Sequence, residues 1–266
     1  MKPDRFKNLL RPLVPGAVLQ ARAARRFFLE RTWYATHLGA YGSFAEAEND
    51  ITRRGASAGY TLDHAAWLRE RATLATHDYP VLYWLGRLMP AADPACLVDF
   101  GGSVGVSYYT FREYLDLPPG LIWLVCELPE AVALGERVRD ARQARQLAFT
   151  DDPRCVAGAS LVLASGVLQY LDATPADWLR GLGDLPRHLI VNKLPLSPAR
   201  AFVTIENGGR GLYPCRVGHH ASFLAEMRAL GYRLLGEWKC LEHRMDIVLQ
   251  PDLSFPYYRG FAFALM

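Results

Sequence analysis

Cys96-Leu97-Val98-Asp99-Phe100-Gly101-Gly102-Ser103-Val104-Gly105-Val106-Ser107-Tyr108-Tyr109 begins as a short apolar run that carries Asp99 near its end and passes directly into a glycine-rich turn. Such a run closed by glycines predicts a buried strand, with a helix to follow. Glycine is needed where the chain turns with positive φ or comes within contact distance of a ligand, and the N–H groups opening the next helix face that ligand. The stretch therefore reads as a nucleotide-binding loop. A second acid, Glu127, closes the next apolar run, Leu121 to Cys126, where a carboxylate can accept hydrogen bonds from a ribose diol. A phosphate-cradling loop is excluded, because no Gly-Lys-Ser/Thr ends the turn and no lysine lies near it. A dinucleotide loop, G-x-G-x-x-G, lacks an acid just before its first glycine.

The chain of 266 residues, 51% of them apolar, is long enough for one large domain or for a domain with a helical appendage. Its net charge of +3 is small and interspersed, which gives no support for a nucleic-acid partner, whose phosphates require a basic stripe. The five cysteines are widely spaced and read as reduced core thiols. Neither a CxxC pair nor an HExxH helix is present, and the adjacent His219 and His220 point to different faces, so no metal is expected. No apolar run approaches the ~20 residues of a spanning helix. Pro12 and Pro15 interrupt the apolar stretch behind the basic start, so a signal peptide is not expected and a cytoplasmic protein is. The basic segment from Lys2 to Arg31 reads as a solvated helix face.

Residues 1 to 90 read as a helical cap or lid. Arg22 to Thr36 and Thr61 to Leu88 carry apolar residues at helical spacing, and Ser43 with Glu46 predicts a capping box for a short helix between them. Pro90 to Pro94 marks a boundary, and residues 91 to 266 form the second part. There, strands are expected at Cys96 to Phe100, Leu121 to Glu127, Gln146 to Thr150, Ala159 to Ser165 and His188 to Lys193. Helices are expected near Tyr108 to Leu115, Glu130 to Arg145, Pro175 to Leu182 and Ala221 to Leu230, the third announced by Thr174 as cap and Pro175 at the first helical position. This alternation predicts an α/β fold with a parallel sheet. Tyr232 to Lys239 and Met245 to Gln250 lie too close together for a crossover and are expected to pair antiparallel, completing seven strands. Asn207-Gly-Gly-Arg-Gly reads as a mobile loop over the site.

Asp99-Phe-Gly-Gly-Ser-Val-Gly is similar to the D-x-G-x-G-x-G loop of class I S-adenosylmethionine-dependent methyltransferases, with Ser103 in place of the middle glycine. Tyr41-Gly-Ser-Phe-Ala-Glu-Ala, Glu127-Leu-Pro, Ala164-Ser-Gly-Val-Leu-Gln-Tyr-Leu, Gly231-Tyr and Tyr258-Arg-Gly-Phe extend the likeness. The chain resembles a bacterial family of such methyltransferases with an N-terminal Tyr-x-Ser-Phe/Trp-x-x-Ala segment. That resemblance implies a Rossmann-like seven-stranded sheet with an antiparallel last hairpin, and S-adenosyl-L-methionine as cofactor. It implies that Asp99, Gly101, Gly102, Ser103 and Gly105 line the methionine end, with Ser165 and Gly166 nearby. Glu127 would bind the ribose, Leu128 the adenine ring and Asp151 the adenine amine. Gln169 and Tyr170 would look toward the sulfonium. Tyr170 and Asn192 are the candidate catalytic residues, and Tyr41, Tyr108, Tyr109 and Gln169 the candidate substrate contacts. Tyr108, Tyr109 and Tyr170 offer ring faces to a desolvated sulfonium by cation–π attraction, although the first two also suit plain packing of a helix. The expected activity is methyl transfer to a small molecule or glycan. An intramolecular cyclase that forms azetidine-2-carboxylic acid and methylthioadenosine, and an inactive binding module, are the competing readings.

Overall fold

The computed structural model describes residues 18, 22, 24, 27, 28, 36–56, 59, 68, 73–89, 96–208, 211–248 and 250–266. Along the chain run β1 (Thr36–Tyr41), α1 (Phe44–Arg53), α2 (Tyr79–Leu88), β2 (Cys96–Phe100), α3 (Val106–Phe111), β3 (Ile122–Cys126), α4 (Pro129–Ala141), β4 (Leu147–Thr150), β5 (Leu161–Ser165), α5 (Pro175–Gly181) and β6 (His188–Leu194). These are followed by β7 (Leu196–Ser197), β8 (Phe202–Asn207), β9 (Leu212–His219), α6 (His220–Ala229), β10 (Tyr232–Cys240) and β11 (Tyr258–Leu265). The expected caps form. Ser43 accepts a hydrogen bond from Glu46 N–H, while the Glu46 carboxylate reaches back to Gly42 N–H, one residue before the cap. Thr174 accepts from Asp177 N–H at the start of α5. Expected helices over Arg22 to Thr36 and Thr61 to Leu88, the prolines at 90 and 94 and the basic start lie wholly or partly outside the described residues.

The chain divides into two compact units. The larger comprises Leu62–Ala201, Arg216–Met245 and Phe255–Met266 and carries a seven-stranded sheet in the order β10-β11-β6-β5-β2-β3-β4. From β6 to β4 neighbouring strands are parallel, while β11 runs antiparallel to both β6 and β10. This strand order, with the last strand inserted antiparallel, is the sheet that the resemblance implies. The period of two divides its residues between two cores. Leu97, Trp123, Val125, Leu161, Leu163 and Ile190 pack under α2 and α3, whereas Val98, Phe100, Val162, Ala164, Val191 and Phe261 pack under α5 and α6.

Three expectations are corrected. Met245 to Gln250 is not the strand that pairs with β10: Met245 bridges Phe255, the chain turns at Pro251–Leu253, and the partner is β11, whose phenylalanines alternate onto the core. Within the glycine-rich stretch after Asn207, Gly208 N–H donates to Gly211 C=O between β8 and β9, and residues 209 and 210 lie outside the described residues. Phe202-Val-Thr-Ile joins an aromatic to three β-branched residues and is buried throughout, which favours a strand. The boundary at residue 90 does not divide the compact units. Helix α2 buries Val81, Leu85 and Leu88 in the same core as Trp123, so it belongs to the large sheet. The smaller unit gathers the described residues of Met1–Thr61 with Phe202–Cys215 and Asp246–Ser254. It includes a strand where only helices were expected, since β1 pairs antiparallel with β8.

Candidate active site

Strand order reverses at β2: β3 and β4 lie to one side, β5 and β6 to the other. Open α/β sheets bind ligands beyond the carboxyl ends of their strands at such a switch point. The turn leaving β2 lies there. Gly101, Ser103 and Gly105 have φ of 73°, 56° and 84°, so alternate residues are left-handed, and Ser103 adopts at a cost the conformation that the middle glycine of the pattern adopts freely. Gly101 N–H donates to Cys126 C=O at 2.9 Å, which ties the turn to the end of β3. A Cβ on Gly101 would lie 2.5 Å from Val167 Cγ2, and one on Gly102 2.5 Å from the Asp99 carboxyl carbon. The close approaches these glycines permit are thus to the protein's own side chains.

Asp99 shares the strand face of Leu97 and is buried beneath the turn. Burial pushes its carboxyl up to about 6, although Trp123 Nε1–H (3.1 Å) and the Ser107 hydroxyl donate to it and Lys193 stands near. A cavity of about 40 Å³ opens between the turn, β5 and β6, lined by Asp78, Asp99, Ser103, Ser107, Thr110, Ser165 and Lys193 among others. Lys193 is itself left-handed, with φ of 56°, and its side chain crosses Gly166, where a Cβ would come within 3.0 Å of Lys193 Cε. Two acids, a lysine and four hydroxyls form a donor and acceptor set suited to a zwitterion.

Behind Asp78 lies a chain of titratable groups. His77 is buried, with Nε2 3.4 Å from Asp78 Oδ1 and Nδ1 3.4 Å from Glu242 Oε2. Burial pushes the Glu242 carboxyl up, but the Thr76 hydroxyl and His77 outweigh it and bring the group to about 2.

The residues expected on the adenosine side lie along the neighbouring strand ends. Cys126 and Thr150 are register partners, so Glu127 and Asp151 follow one another across the edge of β3 and β4. One Glu127 oxygen accepts from Leu128 N–H at 2.7 Å, and Leu128 is 62% exposed, unusual for leucine. Gln169 sits in the turn after β5, 4% exposed, with Oε1 lacking a hydrogen-bond partner, and Tyr170 follows it. An unpaired buried acceptor is costly, which marks Gln169 as a place for an incoming donor.

Other expected contacts are placed elsewhere. Tyr108 and Tyr109 pack in the core against Trp123, with the Arg142 guanidinium 4.6 Å over the Tyr109 ring and Arg112 near both rings, so their faces are already taken. Asn192 does not enter the cavity as a reactive group. Its amide donates to His77 C=O and Ser165 Oγ, and its Oδ1 accepts from Trp238 Nε1–H and Cys240 Sγ–H. Four partners make it a brace at the end of β6. Tyr41 lies in the smaller unit and donates its hydroxyl to Asp50 at 2.8 Å, the carboxylate that also holds Arg53 and Arg54. The Tyr41–Ala47 motif is therefore a strand-to-helix turn: Ser43 caps α1, and Phe44 and Ala47 bury its inner face.

Lys193, Asp78 and Ser107 were missed from sequence. Lys193 closes an expected strand and was legible there, whereas Asp78 falls in the expected cap because helix α2 carries no local sign of which sheet it packs on.

No protein-family model matches the sequence, and no curated protein matches it. Among solved structures, CcbJ methyltransferase from Streptomyces caelestis is similar over 85% of this chain and 99% of its own, at 12% identity and a TM-score of 0.49. Mitomycin 7-O-methyltransferase MmcR is similar over 84% of this chain and 61% of its own, at 17% identity and a TM-score of 0.49. The N-terminal domain of EvdMO1, solved with SAH bound, covers 94% of this chain and 96% of its own, at 14% identity and a TM-score of 0.47.

Proposed function

We propose that the chain binds S-adenosylmethionine across the carboxyl ends of β2 and β3 and transfers its methyl group to a small-molecule or glycan acceptor. The observation that carries this reading is the left-handed Gly101–Gly105 turn at the strand-order reversal, with Asp99 beneath it and Glu127 on the adjoining strand end. The residues present fit the cofactor. Asp78 and Asp99 provide acceptors for its ammonium group, and Lys193 a donor for its carboxylate. The cavity holds only one or two groups of water size, so the adenosyl half lies outside it, along Glu127, Leu128 and Asp151. When bound, the cofactor supplies an electrophilic methyl group on a sulfonium.

The chain's own contribution is chiefly placement, because an in-line displacement depends on orientation and on the exclusion of water. Gln169 offers its unpaired oxygen to a hydrogen-bond donor of the acceptor or cofactor. The test is direct. Calorimetry with S-adenosylhomocysteine should show one site per chain, and S-adenosylmethionine should give S-adenosylhomocysteine only when an acceptor is added. Absence of binding to both nucleosides would overturn the proposal.

A further inference from the structure

The smaller unit brings together three side chains that the sequence keeps far apart. His37 on β1 stands directly opposite Glu206 on β8, and Cys215 lies on β9, the next strand along. One ligand-type atom from each residue lies within 4.8 Å of the others. His37 Nε2 is 3.5 Å from Glu206 Oε2 yet makes no hydrogen bond, and His37 Nδ1 has no partner either, although the residue is 1% exposed. Cys215 is fully buried beside the same carboxylate, and burial together with Glu206 holds its thiol well above the usual range.

A buried imidazole with neither nitrogen hydrogen-bonded is expensive for a protein to maintain without a ligand. The backbone here is fixed from two sides, since β8 pairs with β1 on one side while Asp246 C=O accepts from His37 N–H and Val248 N–H donates to His37 C=O on the other. The backbone that carries the imidazole is therefore held on both edges. One nitrogen, one oxygen and one sulfur donor form the mixed set that a borderline divalent ion takes. Bonds of about 2.0–2.3 Å at tetrahedral angles place ligand atoms about 3.3–3.7 Å apart, close to the observed histidine–carboxylate separation.

We propose that His37, Glu206 and Cys215 bind a zinc-class divalent ion that staples β1 to β8 and β9. The Cys215 S–H bond breaks as the metal–sulfur bond forms, the proton passes to solvent, and no electron is transferred. The fourth position is left to water or to the second Glu206 oxygen. The site is independent of the cofactor proposal and shares no residue with it.

The test uses the full chain, stripped with a chelator under reducing conditions and titrated with Co²⁺. A sulfur-to-cobalt charge-transfer band should grow to saturation at one ion per chain, and Zn²⁺ should displace it and raise the thermal midpoint. Cys215→Ser, which retains a hydroxyl to donate to Glu206, should lose the band while keeping the circular dichroism of the metal-free protein. His37→Gln should weaken Co²⁺ binding at least tenfold, and serves as well if the serine variant fails to fold. No band in the wild type at stoichiometric Co²⁺, or a band unchanged in either variant, would overturn the proposal.

Discussion

Glu127 and Asp99 were both read from sequence as acids at strand ends, yet their surroundings give them different roles. Glu127 is available to a ribose diol, and Glu127→Ala should weaken S-adenosylhomocysteine binding by about 2–4 kcal/mol, since hydrogen bonds to charged groups contribute about 1.5–3 kcal/mol each and need not add fully. Calorimetry on the folded variant checks it. Lys193→Met removes one charged donor and should weaken binding by about 2 kcal/mol in the same assay. Asp99, proposed above to accept from the cofactor's ammonium group, lies buried beneath the turn. Its carboxyl titrates near 6 in the folded protein, above its usual value of 3.8. The folded state thus holds the proton more tightly than the unfolded chain, so stability declines as pH rises from about 4 through 6. Asp99→Asn removes that dependence. Relative to the wild type, the variant should gain on the order of 3 kcal/mol between pH 4 and pH 7, measured by urea unfolding at each pH. The strand and its acid were legible from the apolar run, but burial of the carboxylate was not. It follows from the period of two, which places Asp99 on the face of Leu97 and beside Trp123.

At the scale of elements, the parallel strands were legible because each is a short continuous apolar run, the pattern of a sheet covered on both faces. The helix starts were legible from their caps. Ser43→Ala should therefore cost about 1 kcal/mol in denaturant unfolding, the usual loss for a side-chain cap. The second group of strands was not legible. Thr36-His-Leu-Gly-Ala-Tyr contains two residues that disfavour strands, and only pairing with β8 makes it one. Gly101→Val illustrates how an element constrains a test. The valine would meet Val167 at 2.5 Å with φ near 73°, so it should lower stability by several kcal/mol as well as abolish binding. Loss of affinity in that variant reports the turn's packing, and Glu127→Ala is the better probe of the cofactor.

For the whole molecule, the surprise is where the units divide. Chain order suggested an N-terminal cap followed by a sheet domain, but sequence patterns carry little information about which distant segments meet. Deleting residues 1–89 strips Val81, Leu85 and Leu88 from the main core along with β1, and should leave an insoluble fragment without activity, as fractionation of the expressed protein will show. The smaller unit has a temporal consequence as well. It is assembled from three segments, the last of which ends at Ser254. During synthesis β1 leaves the ribosome long before β8, its partner, and must wait through five of the seven strands of the large sheet with its edge toward β8 unpaired. Long-range pairing of this kind is slow, because loop closure precedes any gain from contact. Pulse-labelled hydrogen exchange during refolding should therefore find the amides of β2 and β5 protected before those of β1. Until that late step the nascent chain presents an open strand, so its exposure to chaperones is set by the order of its segments.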